Sequence, residues 1–217
     1  VFQDLVNSGP YHYLRDTAIP TIGGKLTTYH EAPSERRRNF FLIHGEETLR
    51  HLHNHPCIVF YTLFNEGWGQ FDSLRITERL RELDDTRPID HASGWNDQGG
   101  GDLKSRHIYF RPVKMKNDGR RVLALTEFGG YSLPVAEHYT TDKEFGYRSY
   151  QDNATWMDAL EKLYETEIIP HVASQGLSAT VYTQVSDVED EVNGLVTYDR
   201  KVVKADAVRM QAIAKKL

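Results

Sequence analysis

The chain has almost no cysteine, no long apolar run and no excess of positive charge. Cys57 is the only cysteine among 217 residues, so no disulfide can form within the chain. No run of about 18 apolar residues is present, which argues against a membrane-spanning helix. The formal net charge is −5 and the pI is near 6.1. The charge therefore favours neither nucleic acid nor an anionic membrane surface as a partner.

The composition is that of a globular protein. Apolar residues make up 39% and charged residues 26% of the chain, which is long enough for one sizeable core or for part of a larger domain. The segment Val1–Leu5 has no initiator Met and no signal-peptide pattern, so we interpret it as an excerpt that begins inside a strand. The single cysteine slightly favours the cytoplasm, and the compartment stays open.

Short apolar segments alternate with longer amphipathic ones, a pattern typical of βα units around a parallel sheet. Such strands are covered on both faces and so appear as unbroken apolar runs. The predicted strands are Val1–Asp4, Ile58–Phe64, Pro88–His91, His107–Tyr109, Val122–Thr126 and Leu177–Thr183. The predicted helices are Ser34–Asn54, Ser73–Asp84, Asn153–Ala173 and Ala205–Lys216. This α/β pattern suits a barrel or an open doubly wound sheet.

Each predicted helix has an apolar face that we expect to be buried. In chain order, the residues of these faces are Phe40, Phe41, Ile43, Leu49 and Leu52, then Leu74, Leu80 and Leu83, then Trp156, Leu160, Leu163, Tyr164 and Ile168, and finally Val208 and Ile213. Two connections, Asn7–Pro33 and Glu137–Gln151, are longer than usual. Long loops in compact domains are more often functional than accidental, so we expect both at the carboxyl ends of strands.

Two of the predicted strands lead directly to a glutamate. Glu66 lies in the segment IVFYTLFNEG at Ile58–Gly67, and Glu127 lies in VLALTEFGG at Val122–Gly130, each just after the apolar strand. Cleavage of a glycosidic bond needs two carboxyl groups, one to protonate the leaving oxygen and one to attack or support the anomeric carbon. We therefore predict Glu66 as the acid/base and Glu127 as the nucleophile, meeting at one rim of the fold. The alternative for each is a strand-end carboxylate paired with an arginine.

Several motifs in this order resemble glycoside hydrolase family 2, which includes β-galactosidases, β-glucuronidases and β-mannosidases. They are Asn65–Glu66 after one strand, Glu127–Gly130 after another, and Tyr182–Gln184 with Ser186–Asp187 near the last strand. The resemblance implies a (β/α)8 TIM barrel. By that mapping, residues 1–217 form a partial TIM-barrel catalytic domain that carries about strands three to eight.

The resemblance also implies roles for individual residues. It makes Asn65 a substrate-binding residue, Glu66 the acid/base and Glu127 the nucleophile. It places His107 and Tyr109 on a strand whose groups touch the sugar and the nucleophile, although packing inside the barrel is the alternative for both. No cofactor is expected.

Two tryptophans, Trp68 and Trp95, follow predicted strands. They could stack on the apolar face of a sugar, and burial in the core is the equally weighted alternative. A metal is not expected, because the histidine run at 51–55 is accompanied by no carboxylate or cysteine at ligand spacing. The acidic run Asp187–Glu191 lacks the alternation of a calcium loop. It is a loop at the last strand, either solvated or lining the sugar site.

The function predicted from these features is a retaining exo-β-glycosidase, most nearly a β-galactosidase, with a β-linked glycoside as substrate. No convincing Asn-x-Lys element of the kind that glucuronidases use for the substrate carboxylate is found, which disfavours glucuronides. One alternative is an inactive fragment or carbohydrate-binding remnant, because two barrel strands are missing. Its unpaired strand edges would invite association with a second copy. Another alternative is an endo-acting barrel hydrolase.

Overall fold

The computed structural model describes residues 1–7, 12–22, 34–140 and 143–217. The strands are β1 (Phe2–Asp4), β2 (Phe60–Thr62), β3 (Ile89–Asp90), β4 (Leu103–Ile108), β5 (Val122–Gly129), β6 (Tyr131–Ser132), β7 (Arg148–Ser149) and β8 (Leu177–Thr183). The helices are α1 (Ile19–Thr21), α2 (Glu35–Leu52), α3 (Ser73–Arg81), α4 (Asn153–Leu163), α5 (Ile169–Gln175) and α6 (Ala207–Ala214). Two π-helical segments, Leu14–Ala18 and Tyr164–Ile168, lie directly before α1 and between α4 and α5.

The chain divides into two compact units. The first unit comprises residues 1–107 and 117–124, and the second comprises residues 108–116 and 125–217. One sheet has the order β1–β2–β3 with parallel strands. Another has the order β4–β5–β8, and its strand β5 begins in the first unit and continues in the second. The strands β6 and β7 form a parallel pair.

The core of the first unit lies between its parallel sheet and the helices α2 and α3. Phe41 of α2 stacks on Phe64, with ring centroids 4.6 Å apart. A Cβ at position 45 of the same helix would lie 3.2 Å from a methyl group of Leu5. Glycine at this position therefore lets α2 approach the sheet closely. The buried apolar cluster comprises Leu5, Phe41, Leu49, Ile58, Tyr61, Leu63, Phe64, Phe71, Ile76, Leu80 and Ile89.

The core of the second unit is built on α4 and the strands β5 and β8. Trp156 of α4 is fully buried, and its indole N–H donates to the carbonyl of Tyr131 at 2.8 Å. Phe128 packs edge-on against Tyr164 and Tyr182. The helix begins where the Asp152 side chain accepts a hydrogen bond from the Thr155 amide at 2.8 Å, a capping arrangement that satisfies an otherwise unpaired donor.

The predicted elements correspond to observed ones, although the strands differ at their ends. The strand expected at His107–Tyr109 begins earlier, at Leu103, and ends at Ile108. The buried face predicted for 153–173 is confirmed, because all five of its residues are buried. The connection expected at 7–33 contains helical segments in residues 14–21. The remainder of that prediction, at 8–11 and 23–33, lies outside the described residues, as do residues 141 and 142 of the second long connection.

The prediction of a buried position is wrong for four residues. Phe40, Ile43, Leu74 and Val208 have exposed fractions of 52%, 56%, 43% and 77%. In α2 the apolar residues occupy more than one face. Phe41, Gly45 and Leu49 are buried, and Leu42 and Leu52 pack partly buried against the same cluster. In the part of the chain that the structure describes, no helix is long and apolar enough to span a bilayer.

Candidate active site

Glu66 stands in a sharp turn at the end of the β2 segment. Its amide donates to the carbonyl of Ser93 at 3.1 Å, and Asn65 forms a parallel bridge with Ser93. Beyond this bridge the backbone leaves the sheet with a φ of 53° at Glu66 and 73° at Gly67. A left-handed conformation at a non-glycine residue costs on the order of 1–3 kcal/mol and is typical of functional sites. The turn fixes Glu66 where the sheet ends.

His107 of β4 is the hydrogen-bond partner of Glu66. His107 Nδ1 lies 2.9 Å from Glu66 Oε1, and both side chains are buried. A Cβ at Gly94, where φ is 82°, would lie 2.8 Å from His107 Nδ1, so only glycine leaves room for the ring. The imidazole can share a proton with the carboxyl group, as a general acid/base requires.

The remaining predicted residues of the first unit lie around this pair. Trp95 packs edge-on against His107 with ring centroids 5.7 Å apart, and its indole N–H donates to the Asp16 carbonyl at 3.1 Å. Asn65 Oδ1 accepts a hydrogen bond from Ser93 Oγ at 2.8 Å, which leaves the amide N–H groups of Asn65 as donors. Trp68 is half-buried in the turn, where its backbone amide donates to the Asn65 carbonyl.

Asp90 is a buried carboxyl group near His107 that was not among the predicted site residues. It closes β3 and is fully buried. Burial raises the pKa of Asp90 to about 6, and the charge of His107 acts against this rise. An aspartate at the end of a predicted apolar strand was the only signal for it.

Glu127 lies near the end of β5 in the second unit, where Tyr109 holds it. The Tyr109 hydroxyl donates a short hydrogen bond to Glu127 Oε2 and lies 3.1 Å from Thr183 Oγ1 of β8. Burial and the charge of Glu127 raise the pKa of Tyr109 well above its usual value. Tyr109 therefore stays protonated and acts as a donor, which stabilises the ionised form of Glu127.

The two glycines after Glu127 leave room for the aromatic side chains around it. Tyr109 stacks on Tyr147 with ring centroids 3.8 Å apart and an interplanar angle of 6°. A Cβ at Gly130, where φ is 63°, would lie 2.2 Å from Tyr147 Cδ2. Glycine at position 130 is thus required by the close packing of this stack. Tyr147 lies in a segment predicted as a loop, and nothing in the sequence pattern identified it.

The predicted residues are divided between the two units. Asn65, Glu66, Trp95 and His107 lie together in the first unit, with Trp68 in the same turn, whereas Tyr109 and Glu127 lie in the second. Each glutamate therefore has a partner that suits its predicted role. The catalytic roles of these residues, and the action of both glutamates on one sugar, stay predictions.

Comparison with known families gives a match over nearly the whole chain. The sequence model described as "Glycosyl hydrolases family 2, TIM barrel domain" matches residues 20–216. Together with the parallel sheets and their helices, this match confirms the predicted fold class. No curated protein matches the chain at a significant level.

Solved structures also resemble this fold. A GH2 β-galacturonidase from Eisenbergiella tayi bound to galacturonate has a TM-score of 0.59 at 17% identity, over 83% of this chain and 38% of that one. A GH2 β-galacturonidase from the same organism bound to glycerol has a TM-score of 0.57 at 18% identity, over 83% of this chain and 37% of that one. A β-glucuronidase from Parabacteroides merdae has a TM-score of 0.51 at 15% identity, over 75% and 26%. These similarities concern the fold, and the chain spans less than two fifths of each relative.

Proposed function

Because the chain belongs to glycosyl hydrolase family 2, as the match over residues 20–216 shows, we propose that it carries the catalytic residues of a retaining exo-β-glycosidase. In this proposal Glu66 is the acid/base and Glu127 is the nucleophile. The preferred substrate is a β-galactoside. The alternative of an inactive remnant is not favoured by the family match.

The proposed reaction is a double displacement. Glu127 attacks the anomeric carbon, while Glu66 donates its proton to the glycosidic oxygen, which leaves as an alcohol. Glu66, now ionised, then takes a proton from water, and the resulting hydroxide displaces Glu127 from the glycosyl-enzyme. The sugar leaves with its original configuration at the anomeric carbon.

The observation that carries this proposal is the difference between the surroundings of the two glutamates. Glu66 is 6% exposed and shares a hydrogen bond with the imidazole of His107, a group that can exchange protons at neutral pH. Glu127 receives its hydrogen bond from the phenol of Tyr109, which favours the anion. The two carboxyl groups therefore have different hydrogen-bond partners, a titratable ring for the proposed acid/base and a hydroxyl donor for the proposed nucleophile.

Other groups in the two units fit supporting roles. Because Asn65 Oδ1 accepts from Ser93, the Asn65 amide would present its N–H groups to the 2-hydroxyl of the sugar, an interaction that strengthens as the oxocarbenium-like transition state forms. Trp95 and Trp68 offer partly exposed aromatic surface for an apolar sugar face. A uronide is the competing substrate class, because the structural relatives are a β-galacturonidase and a β-glucuronidase.

The test is a pair of variants in the protein that carries this chain. Glu127→Gln should lower kcat/KM for every aryl β-glycoside by at least about 10⁴-fold, because no covalent intermediate can form. Glu66→Ala should still be glycosylated by substrates with very good leaving groups, and azide should then accelerate its turnover by attacking the intermediate without needing a base.

Glu47→Gln, on the exposed side of α2, is the matched control and should retain full activity. Equal loss on all substrates in both variants, with no response to azide, would contradict the separate roles.

A further inference from the structure

A third carboxyl group, that of Glu191, lies in the same unit as the proposed nucleophile Glu127. The Tyr109 hydroxyl that donates to Glu127 also contacts Thr183, the last residue of β8. The next residue, Gln184, donates through Nε2 to Glu191 Oε2 at 3.2 Å. A continuous path of contacts therefore leads from the proposed nucleophile to Glu191, on the loop that follows the last strand.

Within the described residues, the hydrogen bonds donated to the Glu191 carboxylate reach only one of its two oxygens. Asn193 Nδ2 donates to Glu191 Oε2 at 3.0 Å, and Gln184 Nε2 also bonds Asn193 Oδ1 at 2.9 Å. Both donated hydrogen bonds thus reach Oε2. Within the described residues no donor bonds Oε1, and the side chain is half-buried rather than enclosed. One oxygen of Glu191 is consequently available to a ligand.

The charge of Glu191 interacts with that of Glu127. Burial raises the pKa of Glu191, the hydrogen bond from Asn193 acts against the rise, and the charge of Glu127 adds to it. A sugar bonded to Glu127 would therefore carry its substituents beside a carboxylate whose charge already interacts with that of Glu191.

The loop around Glu191 is rigidly supported, so the carboxylate has a fixed position. Lys204 Nζ is fully buried and donates to Asp187 Oδ1 at 2.7 Å, to the Leu133 carbonyl at 2.8 Å and to the Val192 carbonyl at 2.9 Å. Glu191 exchanges two backbone hydrogen bonds with Val188. Moving the Glu191 carboxylate away from a ligand would break these hydrogen bonds, so its position is fixed before binding.

We propose that Glu191 selects the sugar class, accepting a hydrogen bond from a hydroxyl of a neutral hexopyranoside and excluding a uronic acid by charge repulsion. The inference rests on the proposed glycosidase function and makes its substrate class specific. A uronate would place a third negative charge beside Glu127 and Glu191, and unfavourable like-charge contacts are an effective means of discrimination. Lys204 would not offset this repulsion, because its buried amino group already donates to Asp187 and to two carbonyls.

The test compares 4-nitrophenyl β-D-galactopyranoside with 4-nitrophenyl β-D-galacturonide in the protein that carries this chain. The wild type should favour the neutral substrate by at least about 100-fold in kcat/KM, the size of effect expected for one unpaired like-charge contact. Glu191→Gln keeps the shape and an acceptor oxygen but removes the charge. It should narrow this ratio by about 10-fold or more. Glu189→Gln removes the same charge from an exposed side chain of the same loop and should leave the ratio unchanged.

A second measurement does not depend on the variant folding. Raising the ionic strength from 0.05 M to 0.5 M should narrow the wild-type ratio, since salt screens charge repulsion. A ratio that responds neither to salt nor to Glu191→Gln would overturn the inference.

A wild-type preference for the uronide would overturn it as well. Loss of that preference in Arg111→Gln would then identify Arg111 as the uronate partner, since its buried Nε has no hydrogen-bond acceptor among the residues that the structure describes. Hydrolysis of neither substrate, nor of the gluco and manno analogues, would overturn the proposed function together with this inference. The uronide result overturns the inference alone.

Discussion

At the scale of single residues, the surroundings of each carboxyl group decide what it can do. Glu66 contacts an imidazole, Glu127 contacts a phenol, and Glu191 contacts two carboxamides. An imidazole can donate or accept a proton, whereas a phenol and a carboxamide act here as hydrogen-bond donors. Three chemically identical side chains therefore have different hydrogen-bonding surroundings. The positions of Glu66 and Glu127 were visible in the sequence because each ends an apolar strand. Their partners come from distant segments and were assigned there only through the family resemblance.

The hydrogen bond from Tyr109 to Glu127 can be removed with little change of shape. In Tyr109→Phe the nucleophile loses a donor that fixes its orientation, and we expect kcat/KM for aryl β-galactosides to fall by about 100-fold. Most of the loss should lie in kcat. Tyr139→Phe, at an exposed tyrosine of the same unit, serves as the control. Unchanged kinetics in Tyr109→Phe would show that Glu127 needs no such donor.

Asp90 should make folding stability depend on pH. Its pKa of about 6 exceeds the usual 3.8, so the folded state binds the proton more tightly than the unfolded chain. Its stabilising contribution is therefore complete below pH 3.8 and is lost as the pH rises through 6. Replacing it by the neutral Asp90→Asn should increase the free energy of unfolding at pH 8 by about 3 kcal/mol and change little near pH 4.

Urea unfolding at both pH values measures this effect. The exposed Asp85 offers a control, because Asp85→Asn should show no such difference between the two pH values. A stabilisation by Asp90→Asn that is the same at both pH values would contradict the assignment.

At the scale of elements, periodicity located the helices better than it oriented them. The 153–173 segment has a single apolar stripe, so its buried face was predicted correctly. In α2 the apolar residues Phe40 and Ile43 lie beside the stripe of Phe41 and Leu49, and only packing against the sheet determines which stripe is covered. The loop after β8 has no period, so the sequence indicated its location but not its hydrogen bonds.

The buried ion pair of Lys204 with Asp187 should be essential to that loop. Lys204→Met would leave Asp187 buried without its cationic partner, and we expect a loss of about 3–5 kcal/mol in the free energy of unfolding. The double variant Lys204→Met/Asp187→Leu should recover part of it, because no buried charge remains. Lys201→Met, which removes an exposed lysine three residues earlier, should change the stability by less than about 0.5 kcal/mol. Equal effects of the two lysine variants in chemical denaturation would refute this role.

At the scale of the whole chain, the alternation of strands and helices predicted an α/β fold, and the family resemblance was needed to choose the barrel over an open doubly wound sheet. The order of the motifs was sufficient to indicate the family, because each motif follows a strand of its own. The sugar could not be predicted in the same way, since it depends on loops whose side chains are positioned by residues far away in the chain. The treatment of residues 1–217 as one domain, and association through unpaired strand edges, stay predictions.

The hydrogen bond from Trp95 to the Asp16 carbonyl joins positions 79 residues apart. It connects the ring of Trp95, which packs against His107, to a short helical segment near the start of the chain. Indole emission depends on the polarity around the ring, so Trp95 is a natural fluorescent reporter of that segment. A change at the amino-terminal end that shifts this segment would therefore alter the surroundings of Trp95, the proposed sugar-binding ring, even with both glutamates left in place.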